Sequence, residues 1–145
     1  MLKHMPQLLS VMTPFPYHID VNQTVDEAMG MMQKHDIRHL PVMVEGNIES
    51  LISDRDVKRA QLIGHRGAAD ADMLVGDICP ASASYADVHD PLDQVLELMI
   101  ERRVEAIVVL KDGTPVGIFT DTDACRTLIA LLRQVYPEPG EDDVA

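Results

Sequence analysis

Sliding this chain of 145 residues along itself by 67 positions lays residues 24–57 over residues 91–124 without a gap. That internal repeat restricts the possible folds more than any other feature. Six pairs are identical: Asp26/Asp93, Met32/Met99, Val42/Val109, Gly46/Gly113, Asp54/Asp121 and Asp56/Asp123. The apolar pattern carries more weight, because Val25/Leu92, Ala28/Val95, Met29/Leu96, Ile37/Val104, Leu40/Ile107, Leu51/Ile118 and Ile52/Phe119 also agree in type. Upstream, Val11-Met12-Thr13-Pro14 answers Asp77-Ile78-Cys79-Pro80 one residue out of register, as a change in loop length would produce. Such a chain folds as two copies of one small unit.

Thr24-Val25-Asp26-Glu27 reads as a capping box. Val25, Ala28, Met29 and Met32 follow at helical spacing, which predicts a helix over 24–35. In the second copy Asp90 is expected to cap, with Pro91 in the first helical position and Leu92, Val95, Leu96 and Met99 as the apolar stripe. Residues 40–44 and 106–110 read as buried strands, Glu45-Gly46-Asn47 and Lys111-Asp112-Gly113 as hairpin turns, and 48–52 and 115–119 as return strands. A second helix begins at Ser53 and at Thr120, and a short extended piece near Ile19 or Val88 precedes each unit. Two or three strands cannot bury both faces of a sheet alone. The expectation is therefore one pseudo-twofold α/β (α+β) domain, each repeat a small sheet flanked by two helices, packed sheet to sheet. Its parts are 1–63 (first repeat with its lead-in), 64–73 (connector), 74–136 (second repeat) and 137–145 (a disordered acidic tail).

A net charge of −12 disfavours nucleic acids and anionic membranes as partners. With no Trp, two Phe and nine Met, the core must be built mainly from Val, Ile, Leu and Met. Cys79 and Cys125 form no CxxC pair, and with no secretory signal they read as reduced thiols of a cytoplasmic protein. His35 and His39 are separated by a predicted helix end, and Asp54/Asp56 and Asp121/Asp123 lack the glycine and distal glutamate of a calcium loop, so no metal site is expected. No nucleophile has an evident base and orienting acid, so no enzyme is expected.

The run Val11-Met12-Thr13-Pro14, then Asp36-Ile37-Arg38-His39-Leu40-Pro41-Val42, then Leu51-Ile52-Ser53-Asp54-Arg55-Asp56, closes again in the second copy as Gly117-Ile118-Phe119-Thr120-Asp121-Thr122-Asp123. This order resembles the cystathionine-β-synthase (CBS) domain family over residues 11–57 and 75–124. The resemblance implies a tandem pair (a Bateman module) with no catalytic domain attached. Such modules commonly dimerise into a flat disc and bind adenine nucleotides in clefts between the repeats. It also implies that a Ser/Thr-x-x-Asp element, here Ser53 with Asp56 and Thr120 with Asp123, contacts ribose and phosphate. The chemistry suits those residues: a carboxylate accepts from both ribose hydroxyls, and free N–H groups at a helix N-terminus suit a phosphate. The same pattern is a helix cap, and a cap can also face a cleft.

The resemblance implies a nucleotide site made of Ser53, Asp56, Arg55, Arg38, His39, Thr13, Pro14, Pro16 and Ile19. Arg38, His39 and Arg55 would meet phosphate, and Thr13, Pro14, Pro16 and Ile19 would form the adenine slot. Phe15 or Tyr17 is a stacking face or packs on the other repeat. The second site, Thr120, Asp123, Pro80, Ala83 and Val88, is expected to be weaker, because Glu105, Ala106 and Thr122 replace the cations there. It would be empty or hold an uncharged adenosine-like group. Ser50, in place of the glycine seen as Gly117, would crowd a ligand needing close backbone approach. Candidate ligands are AMP, ADP, ATP and S-adenosylmethionine, with no cofactor required. The expected partners are a second copy of the chain and a protein effector; the alternative reading is a ligand-independent dimerisation or protein-interaction scaffold.

Overall fold

The computed structural model describes residues 4–15, 17–64, 73–80 and 82–140. The elements run α1 (Leu8–Val11), β1 (Thr13–Pro14), β2 (Ile19–Asp20), α2 (Val25–His35), β3 (His39–Val44), β4 (Asn47–Ser53), α3 (Asp54–Gly64), α4 (Val75–Ile78), β5 (Tyr85–Asp87), α5 (Leu92–Arg102), β6 (Ala106–Lys111), β7 (Thr114–Thr120) and α6 (Asp121–Val135). None of these helices is long and apolar enough to cross a membrane.

Local chemistry sets the boundaries. The Thr24 capping box is formed, and α2 stops at Asp36, which turns left-handed at φ 51°. Its counterpart α5 stops at Arg103, φ 53°. The expected Asp90 cap is not made. Pro91 occupies the N-cap, and the Asp90 carboxylate accepts the Asp87 N–H at 3.0 Å, bracing the preceding turn as Gln23 braces Asp20 in the first copy. Each hairpin turns on two residues at positive φ, Glu45 (49°) and Gly46 (83°), then Asp112 (51°) and Gly113 (77°). Consecutive left-handed residues make the turn whose twist matches a two-residue hairpin.

Each hairpin gains one parallel strand: β2 beside β3, and β5 beside β6. One face of each sheet packs on its helices. Ile19, Leu40, Val42 and Ile52 join Val25, Ala28, Met32, Val57 and Ala60 in the first core. Ile107, Val109 and Phe119 join Val88, Leu92, Val95 and Met99 in the second. Strand alternation turns Pro41, Val108 and Ile118 to the opposite face. They are buried yet belong to neither helix-backed core, as expected where the two sheets face each other.

The lead-ins cross over. Leu8, fully buried, belongs to the second core, and Val75, also fully buried, belongs to the first. The backbone bonds are reciprocal: Leu92 N–H to Pro6 O at 2.9 Å matches Val25 N–H to Met73 O at 2.8 Å, and Leu9 N–H to Val88 O at 3.0 Å matches Gly76 N–H to Val21 O at 2.9 Å. Strand β1 completes this exchange by pairing antiparallel with β7, making the second sheet four-stranded in the order β1-β7-β6-β5. These matches all keep the 67-residue offset, so the one-residue slip expected upstream does not occur. Each repeat buries its core only with help from the other copy's N-terminal segment, which makes the pair one cooperative body.

Candidate functional site

Among the clefts that the described residues form between the repeats, two are related by the same pseudo-twofold. The first, about 320 Å³, is lined by Ser53, Arg55, Asp56 and Arg59 from the start of α3, and by Pro80, Ala83, Arg103, Glu105 and Ala106 from the second copy. The second, about 260 Å³, is lined by Thr120, Thr122, Asp123 and Arg126 from the start of α6, and by Thr13, Asp36, Arg38 and His39 from the first copy. Each cleft thus takes its helix N-terminus from one repeat and its opposite wall from the other.

This crossing divides the residues expected to act together. Ser53, Arg55 and Asp56 share the first cleft with Pro80 and Ala83, which the resemblance groups with Asp123. Arg38 and Thr13 stand instead in the Asp123 cleft, and His39 lines both. Ile19 is fully buried in the first core, Val88 is 1% exposed in the second, and Pro14 pairs with Gly117 in the sheet, so none of the three lines either cleft. Pro16 lies outside the described residues. Tyr17 stacks on His35 with ring centroids 3.7 Å apart, and Phe15 donates its backbone N–H to Val116 at 3.4 Å. The cationic complement is correspondingly different from expectation: both clefts hold arginines.

Both Ser/Thr-x-x-Asp elements are formed as capping boxes. Asp56 Oδ2 accepts from Ser53 N and Oγ, each at 2.9 Å, while Ser53 Oγ accepts the Asp56 N–H at 3.2 Å. Asp123 Oδ2 likewise accepts from Thr120 N at 3.0 Å and Thr120 Oγ1 at 3.3 Å. The difference lies on the opposite wall. Thr13 donates its hydroxyl to Asp123 Oδ1 at 3.0 Å, and Arg126 comes within 3.8 Å of that oxygen. The residue standing in Thr13's place at the first cleft is Pro80, which has neither hydroxyl nor N–H to give. Among the described residues no donor reaches Asp56 Oδ1, so this carboxylate keeps one oxygen for a ligand.

Ser50 does not line the clefts; its hydroxyl donates to the Pro80 carbonyl at 2.8 Å. The crowding expected there is absent. The glycine at 117 answers a different need: a Cβ there would sit 2.7 Å from the Thr13 carbonyl oxygen, where β1 closes on β7.

His39 begins β3 between the two clefts, and burial lowers its pKa from 6.5, opposed by the carboxylates of Asp121, Glu105, Asp54 and Asp56. It is therefore held neutral near pH 7. Across the first cleft Arg55 forms an ion pair with Glu105, joining one repeat to the other. Arg59, Arg103 and Arg126 were missed in the sequence, although a signal existed: Ser53-x-x-Asp56-x-x-Arg59 recurs as Thr120-x-x-Asp123-x-x-Arg126. The described residues contain no cluster of three His, Cys, Asp or Glu side chains able to hold a metal.

A duplicated α/β body with crossed lead-ins and two pseudo-equivalent inter-repeat clefts defines a paired-repeat module. The CBS domain family matches residues 8–63 and 75–130, and the chain belongs to it. It is 27% identical over 108 residues to Hypoxic response protein 1 of Mycobacterium tuberculosis, covering 74% of each chain. It shares its fold with the CBS domain pair of protein MJ0100, solved in complex with 5′-methylthioadenosine and S-adenosyl-L-methionine (TM-score 0.76, 22% identity, 88% of this chain and 99% of that one). The same holds for CBSX2, solved in complex with AMP (TM-score 0.72, 21% identity, 88% and 99%).

Proposed function

We propose that this protein is a cytoplasmic regulatory module that binds an adenine ligand in the Asp56 cleft and reports its presence through the packing of the repeats or of a homodimer. The observation carrying this reading is Asp56 Oδ1, which no donor among the described residues reaches, at a helix N-terminus in a cleft of nucleoside size that arginines from both repeats also line. Asp56 takes the ribose hydroxyls, the Ser53 end of α3 and Arg59 and Arg103 meet the phosphate, and Pro80 and Ala83 offer apolar surface to the base. In the Asp123 cleft Thr13 competes with the ligand for the equivalent carboxylate, so this site is the weaker one. The adenine ligands in CBSX2 and the MJ0100 pair support the ligand class. A ligand shifts the module only by its differential affinity for two packings, and walls drawn from both repeats make the cleft sensitive to their relative placement. No reaction is assigned to the chain.

Thermal denaturation with AMP, ADP, ATP and S-adenosylmethionine tests the reading. A ligand at 100 times its dissociation constant adds about 2.7 kcal/mol to stability. No shift with any of the four supports the ligand-independent scaffold instead.

A further inference from the structure

We propose that Glu105 is a charge filter: by holding Arg55 across the rim of the Asp56 cleft, it makes the cleft favour nucleosides and monophosphates over di- and triphosphates. The inference rests on the nucleotide-sensing reading above and names the ligand class of that site more narrowly.

Glu105 stands immediately before β6 and Arg55 lies in the first turn of α3, so their ion pair spans the two walls of one cleft. The side chains are 41% and 73% exposed, and a pair so open to solvent contributes little to folding. Its consequence is local. A phosphate group entering at this rim must draw Arg55 off Glu105 and then lie beside the carboxylate. Arg59 and Arg103 line the same cleft and can balance one phosphate group. Each further phosphate adds negative charge next to Glu105, and among the described lining residues the one remaining arginine, Arg55, can meet it only by leaving that carboxylate unpaired beside the new charge; like charges at such separations repel appreciably in a half-buried site. The pseudo-equivalent rim carries the opposite arrangement: Arg38 takes the place of Glu105, and Thr122 that of Arg55. The filter therefore belongs to the Asp56 cleft alone.

Calorimetric titration of the full chain with adenosine, AMP and ATP, for wild type and Glu105→Gln, tests this. The neutral amide keeps the shape and removes the charge. The expected result is a shift of the ATP-to-AMP affinity ratio by about tenfold towards ATP, with adenosine changed by less than about twofold. Arg55→Gln, which leaves Glu105 charged and unpaired, should move the ratio the other way. Ligand binding with an unaltered ratio in both variants overturns the filter while leaving the nucleotide reading intact. Absence of binding by all three ligands to every form overturns the reading itself, and the filter with it.

Discussion

Asp56 and Asp123 hold the same place in their repeats, yet Pro80 faces one and Thr13 the other. One hydroxyl decides how much of each carboxylate is left over. Thr13→Val removes the donor at 3.0 Å from the buried Asp123, and should destabilise the fold by about 1–2 kcal/mol in chemical denaturation. An unchanged midpoint would show that the contact has no weight. His39 gives a second prediction at this scale. Burial holds its pKa below the ordinary 6.5, so beneath that pH the unfolded chain binds a proton that the folded chain resists. Stability is fully present above about pH 6.5 and falls as the pH drops through that value towards the folded pKa. Melting curves of wild type and His39→Ala between about pH 7.5 and 5.5 should diverge, with the variant losing less on acidification; Ala106, its counterpart, shows that alanine suits the position. Parallel curves would contradict the assignment.

At the scale of elements, β1 closing on β7 explains why one copy requires glycine and the other accepts serine. Gly117→Ala places a Cβ 2.7 Å from the Thr13 carbonyl and should destabilise the protein by about 2 kcal/mol, whereas Ser50→Ala loses only one hydrogen bond, to Pro80. Equal effects would mean that β1 is not held closely. The hairpins, α2 and the capping boxes of α3 and α6 were legible in the chain, because their signals are local: Glu45-Gly46, Thr24-x-x-Glu27 and Thr120-x-x-Asp123 act within a turn. The Asp90 cap expected from the sequence does not form, because its carboxylate has a competing backbone donor, Asp87, three residues upstream. The crossed lead-ins were not legible, since Leu8 meets the second core and Val75 the first through contacts between residues some 80 or 50 positions apart. That crossing also explains why a site built copy by copy from the resemblance puts Arg38 with Asp56: the motifs of one copy show which residues are equivalent, not which wall faces which helix. The Ser/Thr-x-x-Asp-x-x-Arg spacing holds a signal for Arg59 and Arg126 that the expected site leaves unused, and none for Arg103.

The whole molecule leaves α6 partly uncovered. Leu128, Leu131, Leu132 and Val135 recur at helical spacing and are 43–59% exposed, a stripe fit for a second copy. In the homodimer reading, Leu128→Glu with Leu132→Glu should halve the mass seen by sedimentation; an unaltered mass would place the interface elsewhere. The central claim is that the two clefts are unequal. Calorimetric titration of AMP into wild type, Asp56→Ala and Asp123→Ala addresses it directly. The account predicts that binding is abolished by Asp56→Ala and nearly intact in Asp123→Ala, whereas equal loss in the two variants would contradict it.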